Sequence, residues 1–115
     1  MVIQQGDVFW VSIRTPLGAE PGFRRPVVVI QNNAFNASAI RTAVCCAITS
    51  NLSLAEAPGN VRLARGEARL PKPCVVNVSQ IVTVDKAMLT EKIGQIAATR
   101  LREVMEGVQL VLRIM

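Results

Sequence analysis

The sequence predicts a small, mainly β fold with one C-terminal helix, and three observations carry this. Short apolar runs rich in Val and Ile recur along the 115 residues, and β-branched side chains favour strands. Gly, Pro and Asn break the chain between these runs. Near the end the apolar spacing becomes helical: Leu101, Val104, Met105, Val108, Val111 and Leu112 share one face, with Arg100, Arg102, Glu103 and Glu106 between them. Many short strands followed by one helix imply a strongly bent, mostly antiparallel sheet or a partly open barrel, with the helix capping an open side. At this length the chain forms a single domain, 1–115.

The elements follow in order. Residues 6–13 carry apolar and aromatic side chains after a Gly-Asp turn and predict a strand. Trp10 is the chain's one tryptophan; core packing is its default role and base stacking the other. Pro16, Gly18, Pro21 and Gly22 make 14–24 an irregular loop, long enough to be functional. Residues 26–31 predict an inner strand, 32–41 a polar turn segment, and Thr42 to Thr49 a third strand. A helical turn fits 52–58, and a short strand fits 61–63. A proline-bounded loop follows over 65–73. Cys74–Val78 and Ile81–Val84 predict two strands separated around Ser79 and Gln80. A short helix near 87–89 and a strand at 92–96 complete the set. Gly107 weakens the final helix by about 1 kcal/mol relative to Ala.

Net charge is +5, and residues 1–74 carry eight Lys/Arg against four Asp/Glu. That bias fits a polyanionic partner, most simply nucleic acid, and fits ordinary solubility charge as well. No apolar run reaches the roughly 18 residues of a membrane span, and Met1 leads into strand-like sequence with no secretory h-region. A cytoplasmic protein without membrane association is therefore expected. The chain has three cysteines and no histidine. Cys45 and Cys46 are adjacent on a strand and point to opposite faces; with Cys74 they predict buried thiols, not a metal site. Acid–base chemistry without histidine falls to carboxylates, Lys, Arg, hydroxyls or water.

Arg24-Arg25-Pro26 sets a doubled cation at the mouth of the long loop, against a rigid strand. A guanidinium fork suits phosphate oxygens, and Pro26 keeps Arg25 extended; a solvated turn is the plainer reading of the same residues. Thr49-Ser50-Asn51 places two hydroxyls and an amide at a strand end, which also fits a turn or helix cap.

Taken together, these stretches resemble the MazF/PemK toxins of type II toxin–antitoxin systems, the mRNA interferases. The matching pieces are Gly6–Val11, Gly18–Val29, Ala47–Asn51, Pro58–Val61, Leu70–Lys72, Val75–Gln80 and Glu91–Gly94. They cover nearly the whole chain in the family's order. The resemblance implies an SH3-like small barrel of the PemK/CcdB toxin fold. It implies a homodimer that cleaves single-stranded RNA in a sequence-dependent way, without a metal or other cofactor. It also implies a cognate antitoxin, through which alone the complex meets operator DNA. Carried over residue by residue, Arg25 and Thr49 match catalytic positions and Glu20 an acidic position in the preceding loop. Ser50, Asn51 and Gln80 match positions near the RNA groove. Position 19 is Ala where many members have Ser, and position 21 is Pro where Gln is common.

In this reading the ribose 2′-hydroxyl attacks its own phosphate. Arg25 clamps the phosphate, Thr49 donates to it, and Glu20 acts as base or orients the hydroxyl. Arg14, Arg24, Arg69 and Lys72 are assigned to RNA backbone contacts. Two alternatives share the fold: a poison that grips DNA gyrase, and a non-cleaving RNA-binding barrel. The gyrase grip depends on a C-terminal Trp-Gly-Ile, whereas this chain ends Leu112-Arg113-Ile114-Met115.

Overall fold

The computed structural model describes residues 2–13 and 23–113. Six strands form one curled sheet: β1 Asp7–Ile13, β2 Phe23–Val29, β3 Thr42–Thr49, β4 Val61–Leu63, β5 Cys74–Asp85 and β6 Glu91–Gln95. Their order is β4-β5-β3-β2-β1-β6 and every pairing is antiparallel. The edge strands β4 and β6 do not pair with each other, so the expected small barrel is an open half-barrel. Helix α1, Asn33–Asn36, is one turn; α2, Ala98–Leu112, is the C-terminal helix.

Alternation along the strands divides the core between the two faces of the sheet. On one face Val8, Val28, Cys46, Ile48, Val76 and Val78 pack with Val104 and Val108 of α2. On the other, Ile3, Phe9, Val11, Val27, Val29, Ala43, Cys45 and Leu89 form a second cluster. Burial on both faces explains why β2 and β3 read as nearly continuous apolar runs. Cys45 and Cys46 fall one in each cluster, as their adjacency requires, and all three cysteines are buried and free. Burial pushes the Cys46 thiol up to about 12; Cys45 rises equally, from burial first and from its neighbour second.

Three expectations are corrected. Strand β2 begins at Phe23, so Arg24 and Arg25 belong to the strand and not to the loop end. Residues 74–85 form one strand, not two. Opposite it, pairing jumps from Cys46↔Ile81 to Ala47↔Asn77. Val78, Ser79 and Gln80 are thus left over as a bulge, which bends β5 without ending it. The polar segment after Gln31 contains helix α1: Asn32 caps it by accepting the Ala34 N–H at 2.8 Å. Lys86 Nζ then donates to the carbonyls of Phe35, Asn36 and Ser38 at 3.0–3.1 Å, closing the turn.

Candidate active site

The site opens where two central strands part. β2 and β3 pair through Val27↔Ala47 and no further. Pro26, the next residue, has no N–H to give the ladder, and it pairs only with Trp10 of β1. Continued one step, the register would set Pro26 opposite Ile48; one step more sets Arg25 opposite Thr49. The two side chains therefore start from facing positions on diverging strands, at the edge of the gap.

That gap is a cleft of about 320 Å³. Pro26, Ile48, Leu70 and Cys74 supply its apolar surface, with Trp10 as one wall. Arg24, Arg25, Thr49, Ser50 and Lys72 bring the polar groups. Arg25 and Thr49 are half-buried, and Ser50 and Lys72 are exposed. Thr49 Oγ1 accepts the Asn51 N–H at 3.1 Å, which leaves the threonine's own proton to donate elsewhere.

Arg24 also lines the cleft; its Nη2 lies 2.5 Å from Glu91 Oε2, and its guanidinium sits 5.3 Å from the Trp10 ring centroid. Asn51 is used locally, as the cap of the 3₁₀ turn Leu52–Glu56, accepting from Ser53 N at 3.2 Å. Gln80 lies in the β5 bulge beside Asn77, and Arg69 lines a separate surface hollow with Lys92, Ile93, Gly94 and Gln95. None of these three lines the Arg25–Thr49 cleft. Glu20 and Arg14 lie outside the described residues. Pro26, Ile48, Leu70, Pro71 and Cys74 line the cleft without a site role in the sequence reading, and Trp10, open there to core packing or base stacking, lines it too.

The wall segment 70–72 is held from behind. Before it, the 3₁₀ turn Glu67–Arg69 carries left-handed backbone at Ala68 (φ 53°) and Arg69 (φ 60°). Glu67 takes two bonds from Arg100 of α2, at 2.9 and 3.2 Å, and the Ala64 N–H. Gly94 of β6 admits the turn, since any Cβ there would overlap the Ala68 carbonyl. Arg100 holds the Glu67 carboxyl below its ordinary value, outweighing burial, which acts the other way, with a lesser contribution from the Ala64 N–H. A depressed folded-state pKa adds stability above the unfolded value, and that stability is lost as pH falls through the folded one. Glu67→Gln is therefore expected to flatten the acid limb of the stability curve, read from urea midpoints across that range. An unchanged acid limb would show that the pair contributes nothing.

Among the described residues no three His, Cys, Asp or Glu side chains converge as metal ligands, and no helix is long and apolar enough to cross a membrane.

The molecule is thus a half-barrel with a cationic, hydroxyl-bearing cleft at its strand ends, backed by one C-terminal helix. The chain belongs to the PemK-like, MazF-like toxin family of type II toxin–antitoxin systems, whose pattern it matches over residues 4–112. It is 44% identical over 112 residues to endoribonuclease MazF6 of Mycobacterium tuberculosis, covering 97% of this chain and 98% of that one. It is 32% identical over 114 residues to endoribonuclease EndoA of Bacillus subtilis, covering 99% and 97%. Among solved structures, a MazE–MazF crystal structure from Deinococcus radiodurans shares the fold with TM-score 0.81 at 23% identity, over 100% and 99% of the two chains. The Mycobacterium tuberculosis toxin MazF-mt6 does so with TM-score 0.76 at 15% identity, over 95% and 98%.

Proposed function

We propose that this chain is an endoribonuclease toxin that cuts single-stranded RNA at preferred sequences, by metal-independent attack of a ribose 2′-hydroxyl on the adjoining phosphate. The observation that carries the mechanism is the cleft shared by Arg25 and Thr49. In the reaction the 2′-oxygen forms a bond to phosphorus while the bond to the 5′-oxygen breaks. A base takes the 2′-hydroxyl proton, and the departing 5′-oxygen gains one. The products end in a 2′,3′-cyclic phosphate and a 5′-hydroxyl.

Arg25 lies on a strand clamped by β1, so its guanidinium meets the developing phosphate charge with little reorganisation. Thr49 donates its free hydroxyl proton to the same phosphate. Glu20 is proposed as base or orienting group. Lys72, Ser50 and Arg24 contact RNA along the cleft. Arg14, Arg69, Asn51 and Gln80 are proposed as outer contacts, beyond the cleft's own lining.

The relatives' names support the activity. A structural neighbour described as an endoribonuclease in complex with its cognate antitoxin supports neutralisation by such a partner. A homodimer, a cytoplasmic location and operator binding through the antitoxin complete the proposal.

The test is incubation of pure protein with mixed RNA in EDTA. Discrete fragments support the reading. Intact RNA with inhibited gyrase, or intact RNA that is merely bound, would replace it. Binding should weaken with salt, by about 0.7 log units in affinity per log unit of salt for each phosphate contacted. Lys72→Ala is expected to lower that slope by about one such contact; an unaltered slope would remove Lys72 from the RNA path.

A further inference from the structure

The cations of the cleft stand on unlike supports. Arg24 and Arg25 lie on β2 and are held by the sheet, whereas Lys72 lies on the connection between β4 and β5. Pro71 and Pro73 flank Lys72; a proline fixes its own φ and keeps the residue before it extended. The Cys74 thiol donates to the Lys72 carbonyl at 3.3 Å. A short, stiff segment therefore carries Lys72, and the turn at its start sets its direction. That turn is closed on itself. The Gly66 N–H donates to the Leu70 carbonyl at 2.9 Å, and the Leu70 N–H donates to the Glu67 carbonyl at 3.0 Å. Leu70 is buried in the core and lines the cleft as well.

Glu67 ties the turn to α2. Arg100 grips its carboxylate through two nitrogens, and Glu103 Oε1 accepts from the third at 3.1 Å. Left-handed backbone at a non-glycine residue persists only where its surroundings over-determine it, and Ala68 and Arg69 sit directly after Glu67. We propose that Glu67 and Arg100 are positioning residues: their clamp sets where Lys72 meets the RNA backbone, so α2 governs substrate affinity without touching substrate. The proposal rests on reading the Arg25–Thr49 cleft as the RNA site. Neither Glu67 nor Arg100 lines that cleft, so both act through the turn. Glu67→Gln separates this from plain electrostatics by sign. Loss of a negative charge alone tightens binding of a polyanion. The amide, however, has one acceptor oxygen where the carboxylate has two. Arg100 and the Ala64 N–H are then no longer all satisfied, the turn relaxes, and binding weakens.

The test is a double-mutant cycle between Glu67→Gln and Lys72→Ala. Binding is read with a short single-stranded RNA of mixed sequence, fully 2′-O-methylated so that it has no nucleophile. The fluorescence of Trp10, the one tryptophan and part of the cleft wall, reports it. Glu67→Gln is expected to weaken binding about threefold or more, but less than about 1.5-fold once Lys72→Ala is present. Glu103→Gln removes the same charge from the same network without touching the turn, and is expected to bind at least as tightly as wild type. On cleavable RNA the KM of Glu67→Gln should rise with kcat within about twofold, the pattern of lost uniform binding. Arg100→Lys keeps the charge and part of the grip, and should bind between wild type and Arg100→Ala; it carries the same cycle if urea midpoints show Glu67→Gln unfolded. Binding at or above wild type in Glu67→Gln, an equal loss with and without Lys72→Ala, or an equal loss in Glu103→Gln would overturn the clamp. RNA left intact in the cleavage assay, with the coupling present, would remove the nuclease reading and keep the clamp.

Discussion

Arg25→Ala is expected to slow single-turnover RNA cleavage by about 100- to 1000-fold, the usual cost of losing one preorganised donor to a transition-state oxyanion. Three features of the site lead to this figure. Arg25 is half-buried on a paired strand, its position is fixed from the β1 side by Val11, and it lines the cleft that Thr49 also lines. Arg25→Lys keeps the charge and loses the planar fork, so it should recover only part of the rate. Unfolding midpoints of both variants, measured alongside, separate a loss of chemistry from a loss of fold. Cleavage by the alanine variant within a few-fold of wild type would take Arg25 out of the chemistry.

Gly107→Ala is expected to destabilise the fold, although alanine is the better helix former by about 1 kcal/mol. A Cβ on residue 107 would overlap the Gly59 carbonyl oxygen and sit 3.0 Å from both Gly59 C and Val78 Cγ1. Gly59 is itself in left-handed backbone (φ 78°), which holds its carbonyl in place. The alanine must therefore push α2 away from the 58–60 turn, and overpacking of this kind costs about 1–3 kcal/mol. The loss should appear as a melting temperature lower by several degrees for a domain of this size. A melting temperature at or above wild type would mean that the helix slides freely over the turn.

The glycine also shows what could be read in advance. Sequence alone marks Gly107 as a weak point in a helix; only the tertiary contact shows that the weakness is what lets α2 approach the sheet. Strand β3 was legible to the residue, because β-branched and small apolar residues run unbroken between Arg41 and the Ser50-Asn51 turn. Strand β5 was split in the sequence reading because Asn77, Ser79 and Gln80 look like turn formers. The bulge that absorbs them depends on the partner strand, which local sequence does not encode.

In the site, Arg25 was legible as a guanidinium ahead of one strand and Thr49 as a hydroxyl ending the next, and both through the family resemblance; that these strands pair and part beside one cleft was not. The partner of Arg24 was not, since Glu91 lies 67 residues away and meets it only because β6 pairs with β1. Asn51 had been open to two readings, groove residue or cap, and its bonds to Ser53 supply the cap. Arg69 looked like a neighbour of Lys72 along the chain, but the left-handed turn at 68–69 sends it to a different hollow.

One measurement bears most directly on the proposed chemistry: cleavage of a short RNA in EDTA, compared with the same RNA carrying a single 2′-deoxy nucleotide at the cut site. The mechanism predicts 2′,3′-cyclic phosphate and 5′-hydroxyl ends from the all-ribose strand, and no cut at the deoxy position. Cleavage of the deoxy-substituted strand at that site, or complete loss of cleavage in the chelator, would contradict it.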